Sequence, residues 1–474
     1  MDKSQYTQEN IKFDSQERSY LIEHTNPHTR PIIIKIDPRK YKNRPALLFT
    51  KESRLRGLIT IGKAGAAAEF YRYLENNIYS IFKDMTIKCG DVILNDNKNY
   101  AQYCHMINDA TRGVEERYSD SVDCLSLRPI VSNPQITATT VDDGMGGYLT
   151  TVDNQTSRHN VLFNNLFLGV SPIHAKHNFY FSIPLLDFMG SYINKPIPLH
   201  LLDKPITIEF TINDPDDIFF ASVGTNRISN YTLSEIKYDA CISFIPKEVS
   251  DAMFPNGEAQ LIGKDYKFSQ RHMQSGSSYF NDVFGEFKYK YAKNFLFFFV
   301  NPQSTDRNLK VFISQRIKAN MDEYCLKYNG EYYPKNKIVG YGDMIANVKK
   351  CFGGKFGILN YDMYYTNANN HETVTDTAYI APNASPNPPD YSSFKKFIGA
   401  ISLQKYSMEK EDFLNGMDIT EHDLSLEFNL VQISLNSQPI LKTQFYLTEA
   451  LSLFVYLEYD KIYTIKNGEI IMDY

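Results

Sequence analysis

The sequence predicts a mainly β chain built as two sandwich-like or barrel-like halves in tandem, and three observations carry that prediction. Runs in which apolar and polar residues alternate recur along the chain, helical periodicity is scarce, and 474 residues suffice for two large domains. With 43% hydrophobic and 22% charged residues, and with 31 Phe and 34 Tyr but no Trp, the composition is globular and rules out a disordered or collagenous chain. The longest apolar runs, Phe295 to Val300 and Leu453 to Leu457, fall far short of the roughly 18 residues of a membrane span. The polar start, Met1-Asp-Lys-Ser-Gln-Tyr6, has no basic flank before an apolar core, so synthesis and folding in a cytosol or nucleus are expected.

In chain order, residues 1–25 hold three Lys or Arg against five Asp or Glu, and residues 26–63 reverse the balance. That segment carries Arg30, Lys35, Arg39, Lys40, Lys42, Arg44, Lys51, Arg54, Arg56 and Lys63 against Asp37 and Glu52, a net of +8 over 38 residues. It reads as an N-terminal arm over 1–63, basic from 26, that faces nucleic acid, acidic lipid or the acidic groups of a neighbouring subunit. Ala64 to Ser80 repeats Ala67, Phe70, Tyr71, Leu74 and Ile78 at helical spacing, which predicts one amphipathic helix opening a first domain over 64–245. Ile206, Ile208, Phe210 and Ile212 alternate with Thr207, Glu209 and Thr211, as in a strand buried on one face.

A polar, Pro- and Gly-bearing stretch from Pro246 to Phe268 marks a linker, placed at 246–270, before a second domain over 271–474. There Phe287, Tyr289 and Tyr291 alternate with Lys288 and Lys290, and Leu424, Leu426, Phe428 and Leu430 with Ser425, Glu427 and Asn429. The apolar phase then shifts, so a bulge or bend is expected near Leu430. Leu453 to Leu457 is apolar on both faces, as in a strand covered on both sides. Ser132 to Asn160 and Thr366 to Tyr391 are too polar to read as strands and are expected to be long surface loops, one in each half, which suggests one plan for both halves.

Motifs that carry chemistry are missing. Gly62-Lys63, Gly263-Lys264 and Gly354-Lys355 lack the Ser or Thr of a phosphate-binding loop, and Gly144-Met-Gly-Gly147 lacks the dinucleotide spacing. Neither G-x-S-x-G nor H-E-x-x-H occurs. The scattered cysteines Cys89, Cys104, Cys124, Cys241, Cys325 and Cys351 form no zinc or disulfide pattern. His174 and His177 have no carboxylate partner in sequence, and Asp214-Pro-Asp-Asp217 reads as a solvated turn rather than a calcium loop. No metal, cofactor or enzyme activity is therefore expected.

Three segments carry a resemblance. Phe82-Lys-Asp-Met-Thr-Ile-Lys-Cys-Gly-Asp-Val-Ile-Leu-Asn95 is followed by Tyr100-Ala-Gln-Tyr103. Phe179-Tyr-Phe-Ser-Ile-Pro-Leu-Leu186 is followed by Ile197-Pro-Leu-His-Leu-Leu202 and Ile206-Thr-Ile-Glu-Phe210, and then by Ile236-Lys-Tyr-Asp-Ala-Cys-Ile-Ser-Phe244. In order and spacing these resemble the first half of double jelly-roll major capsid proteins of eukaryotic double-stranded DNA viruses, the virophage, adintovirus and polinton-like group. The resemblance spans residues 82–245; after 270 only strand count and length agree.

What the resemblance implies is two tandem jelly-roll sandwiches with few short helices, and homotrimeric capsomers of near-hexagonal outline in an icosahedral virion shell. Neighbouring capsomers and minor capsid or penton proteins would be the partners, and Arg30, Lys35, Arg39, Lys40, Lys42, Arg44, Arg54 and Arg56 would form an inner basic arm toward a genome or an internal membrane. Residues 132–160 and 366–391 would face outward. The alternative reading is a β-sandwich protein that binds or cleaves carbohydrate, with Glu209 and Glu427 as its strand carboxylates.

Overall fold

The computed structural model describes residues 6–11, 20–23, 31–61, 72–74, 78–111, 139–142, 148–151, 177–185, 195–215, 219–221, 230–274, 279–300, 316, 321–352, 397–404, 413–430 and 451–473. The first half comprises β1 (Tyr6–Ile11), β2 (Tyr20–Glu23), β3 (Ile32–Ile36), β4 (Ala46–Ile61), β5 (Arg72–Leu74), β6 (Phe82–Cys89), β7 (Val92–Asn97), helix α1 (Tyr100–Thr111), β8 (Thr139–Asp142), β9 (Tyr148–Thr151), β10 (His177–Ile183), β11 (Ile197–Pro198), β12 (Ile206–Ile212), β13 (Phe219–Ala221) and β14 (Asn230–Phe244). Helix α2 (Lys247–Met253) leads into the second half: β15 (Ala259–Met273), β16 (Tyr279–Phe284), β17 (Ala292–Val300), β18 (Met321–Tyr328), β19 (Glu331–Val339), helix α3 (Gly340–Cys351), β20 (Gly399–Ser402), β21 (Leu424–Leu430), β22 (Leu451–Lys466) and β23 (Glu469–Asp473).

Among the described residues each half is an antiparallel sandwich built on eight main strands, with β2 and β11 added to one sheet of the first and β23 to one sheet of the second, and both have the same strand order. In the first, one sheet runs β1-β14-β4-β10 and the other β3-β12-β6-β7; in the second, they run β15-β22-β17-β20 and β16-β21-β18-β19. Numbered within its own sandwich, each pair of sheets reads first-eighth-third-sixth and second-seventh-fourth-fifth, which is a jelly roll. A helix follows the fifth strand in both halves, α1 after β7 and α3 after β19. The two polar segments 132–160 and 366–391 thus fall in the same connection of each sandwich, between that helix and the sixth strand.

Alternating sequences make these sheets because one face of every strand meets the opposite sheet. Along β12 the residues at Ile206, Ile208, Phe210 and Ile212 are buried, and the three between them are not. Phe82 of β6 meets Phe181 of β10 across the first sandwich, ring centroids 6.5 Å apart. In the second, Phe297 and Phe299 of β17 meet Tyr324 of β18 and Phe428 of β21 at 5.0 and 5.2 Å, both edge-on. β17 and β22 are buried on both faces, as their continuous apolar runs require. The β18–β19 hairpin turns on Asn329-Gly330 and the β22–β23 hairpin on Asn467-Gly468, each pair with positive φ at both residues, the backbone a two-residue hairpin loop needs.

Several sequence expectations are corrected. The described residues of 1–63 are not a separate arm: β1 and β2 pair with β14, and β3 and β4 are core strands, with Ile32, Ile34, Ile36, Leu47, Leu55 and Ile59 in the first core. The run 64–80 is not one helix, since Arg72–Leu74 is a strand paired with β13 and Ile78–Ile81 a 3-10 turn. The linker is shorter than 246–270, because β15 begins at Ala259 and pairs with β22 along its whole length. Residues 287–291 are no strand: their carbonyls are taken singly, Tyr289 by the Ile419 N–H and Tyr291 by the Asp460 N–H. Within 132–160, Thr139–Asp142 and Tyr148–Thr151 pair as a hairpin around Asp143-Gly-Met-Gly-Gly147. The phase shift beyond Leu430 and the segment 366–391 lie outside the described residues.

Candidate functional site

The basic segment is woven into the first sandwich, and most of its described charges meet partners there. Arg39 grips Asp37 with two bonds of 2.9 Å, and this hydrogen bonding holds the Asp37 carboxyl below its ordinary value. Lys42 Nζ lies 2.5 Å from Asp203, and the Arg44 guanidinium sits 3.9 Å above the Phe244 ring. Arg54 donates to the Ser182 carbonyl at 2.9 Å, and Arg56 pairs with buried Asp239 at 2.5 Å. Lys35 is half-buried on β3, Lys40 is exposed, and Arg30 and Lys63 lie outside the described residues. The fold brings most of these side chains to acids, a carbonyl or a ring of the same chain rather than to one another.

The densest polar construction is the junction between the sandwiches, with α1 at its centre. Tyr100 and Cys104 of α1 enter the first core, while Tyr103, Met106 and Ala110 on its other face enter the second. The Tyr103 ring stacks on Tyr266 of β15 at 3.9 Å, and its hydroxyl donates to Glu458 of β22 at 2.8 Å. Asn294 of β17 donates to the other oxygen of Glu458 at 2.6 Å. Six residues on from Tyr103, Asp109 accepts from Arg316 at 2.6 Å, with side-chain exposures of 3% and 1%. Arg316 also donates to the Phe397 carbonyl at 3.2 Å, next to β20.

A second set of contacts ties β7 and Lys98 just after it to β15 and β22. Tyr463 donates to Asn95 at 3.2 Å, Tyr266 to the Lys98 carbonyl at 3.2 Å, and Lys461 to the Leu94 carbonyl. β15 and β22 are long enough to leave the second sandwich and place Leu261, Tyr463 and Ile465 in the first core. Charge-assisted bonds in a buried place are lost together or kept together, so the junction holds two sandwiches as one body. Sequence reading picked out Tyr100-Ala-Gln-Tyr103 for its resemblance alone and did not single out Asp109, Asn294, Arg316 or Glu458. The signal available was α1 itself, where a Tyr-x-x-Tyr-Cys-x-Met pattern puts apolar residues on two faces rather than one.

The carboxylates of the carbohydrate alternative do not converge. Glu209 lies on β12 of the first sandwich and Glu427 on β21 of the second, and each pairs with a lysine of the adjacent strand, Lys88 at 2.8 Å and Lys327. Among the described residues no group of three or more His, Cys, Asp or Glu is placed to hold a metal. His177 opens β10; His174, Asp216 and Asp217 lie outside the described residues. Cys89, Cys104, Cys241, Cys325 and Cys351 are buried free thiols.

No protein-family model matches the chain, and no curated protein sequence does. Solved structures do match over nearly its whole length. PBCV-1 VP54, as fitted into a reconstruction of the virophage Sputnik, aligns at 12% identity over 99% of this chain and 97% of its own, with a TM-score of 0.56. The Sputnik virophage structure itself aligns at 11% identity over 98% and 89%, TM-score 0.54. The mavirus major capsid protein aligns at 10% identity over 100% and 90%, TM-score 0.51. At these identities the likeness is one of fold: the whole chain shares the tandem two-sandwich architecture of these proteins.

Proposed function

We propose that this double jelly-roll chain is a major capsid protein whose trimers form pseudo-hexagonal capsomers in an icosahedral virion shell. The observation that carries the reading is a likeness to the mavirus major capsid protein over 100% of this chain, in a chain whose two sandwiches repeat one strand order. Two similar sandwiches locked side by side give each subunit two near-equivalent sectors, so three subunits present six around one axis. The junction at α1 supports this role, because six sectors tile only if the angle between the two in each chain is fixed. The partners in this reading are further copies of the chain, neighbouring capsomers, and minor capsid or penton proteins, and its site is the virion capsid. Contact with a genome or an internal membrane through 26–63 is left out of it, since the described charges there are mostly met within the chain.

Light scattering of the purified chain after size exclusion tests the proposal. The expected mass is about 164 kDa, three times the 54.6 kDa of one chain. Negative-stain images of that species should show hexagonal outlines. A monomer at micromolar concentration that also fails to join particles when its viral partners are co-expressed would overturn the reading.

A further inference from the structure

Lys293 on β17 and Asp460 on β22 face each other in the second sandwich, with side-chain exposures of 2% and 0% and Nζ 2.9 Å from Oδ2. The same Oδ2 accepts the Leu414 backbone N–H at 2.5 Å, while Oδ1 is buried with no hydrogen-bond partner. Residues 413–417 roof the pair. The Phe413 ring centroid is 5.4 Å from Nζ, Met417 exchanges backbone hydrogen bonds of 2.8 and 3.0 Å with Ala292, and Gly416 lies so close to Tyr291 that a Cβ there would fall 2.4 Å from its backbone.

Two full charges are a poor state in such a site, because neither keeps its hydration and one carboxylate oxygen has nothing to replace it. Burial pushes the Lys293 amine down and the Asp460 carboxyl up, and in each case it outweighs the attraction between them. Lys264 lowers the amine further, while Glu458 opposes it weakly. Passing one proton from the ammonium to the carboxylate leaves a neutral amine against a neutral carboxylic acid, a nucleophile held on its electrophile with water excluded.

We propose that Lys293 and Asp460 condense into an isopeptide bond, a covalent staple between β17 and β22. The Nζ lone pair attacks Asp460 Cγ, the bond from Cγ to Oδ1 breaks, and Oδ1 leaves as water with the acid proton and one amine proton. The product is a neutral amide, and nothing is oxidised or reduced. The Leu414 N–H sits where it holds Oδ2 as charge develops on it. The amide also suits the dry site better than the ion pair, since it removes both the charges and the unmet oxygen. With the described cysteines all free thiols, this staple gives covalent closure without an oxidant.

The intact mass of the denatured full-length chain decides it, independently of the capsid reading. The expected mass is about 18 Da below that of the sequence, with Lys293 and Asp460 recovered in one cross-linked tryptic pair. Lys293→Met and Asp460→Ala should each restore the sequence mass and slow migration on a denaturing gel, a readout that holds whether or not the variant folds. A wild-type chain at its full sequence mass, with both residues in linear peptides, would overturn the proposal.

Discussion

Glu209 and Glu427 occupy the same position of the two sandwiches. Each is the fourth residue of its sandwich's seventh strand, in Ile206-Thr-Ile-Glu-Phe-Thr-Ile212 and Leu424-Ser-Leu-Glu-Phe-Asn-Leu430. Each reaches diagonally past its cross-strand partner, Thr86 or Cys325, to the lysine two residues on, Lys88 or Lys327. Their settings differ, because Lys337 lies 3.5 Å from Glu427 as a second cation, and the side-chain exposures are 30% for Glu209 and 7% for Glu427.

Equivalent positions should therefore respond unequally to the same change. Glu209→Gln is expected to cost about 0.5 kcal/mol, as for a surface pair. Glu427→Gln should cost about 2 kcal/mol, less than a fully buried pair because Lys327 still reaches water and Lys337 keeps Glu323 at 2.6 Å. Urea unfolding of both variants measures the difference, and equal losses would contradict it.

Acid should act through the same group. Burial alone would raise the Glu427 carboxyl, but the Lys327 hydrogen bond and the charges of Lys327 and Lys337 outweigh it and hold the group below its ordinary 4.5. A carboxyl depressed in the folded state contributes stability that is present above its unfolded value and lost as pH falls through the folded one. Melting temperature should thus decline below about pH 4.5, and Glu427→Gln should flatten that decline. An unchanged acid limb in the variant would refute the assignment.

At the junction, Asp109→Ala is expected to cost about 3–5 kcal/mol, because it leaves the Arg316 guanidinium without its carboxylate in a place that is 1% exposed. Replacing both groups, Asp109→Leu with Arg316→Met, should recover most of the loss. Denaturant melts of the single and double variants form the comparison. A double variant as weak as the single would mean that the pair does more than neutralise itself.

Burial also pushes the Cys89, Cys241 and Cys325 thiols up to about 11. At pH 8 their thiolate fraction is about 100-fold below that of a free cysteine at 9.0, before any steric protection. Site-resolved alkylation, read by mass spectrometry, should be slow at these three residues in the native chain and fast after denaturation. Rapid native labelling at any of them would show that its burial is not maintained.

Several elements were legible because their sequence carries its own period. The alternation of Ile206–Ile212 and Leu424–Leu430 and the apolar runs in β17 and β22 became strands of the expected kind. Other signals were present but unread. Asn329-Gly330 and Asn467-Gly468 mark two hairpins, and the shared pattern around Glu209 and Glu427 marks a repeat. The basic segment misled for a physical reason: lysines and arginines on one face of a strand give a long positive stretch while Ile, Leu and Ala on the other face build the core.

The sequence by itself determined that this is a two-part β protein, because strand periodicity and turn residues are local properties of a few neighbouring amino acids. It also held the ordered motifs of 82–245 that pointed to a double jelly roll. Only the tertiary structure decided which charges meet: Arg56 with Asp239, Asp109 with Arg316, and Lys293 with Asp460 lie 183, 207 and 167 residues apart in the chain. Partners that far apart leave no periodic trace, since they are brought together by sheet order and by the docking of α1 between two cores.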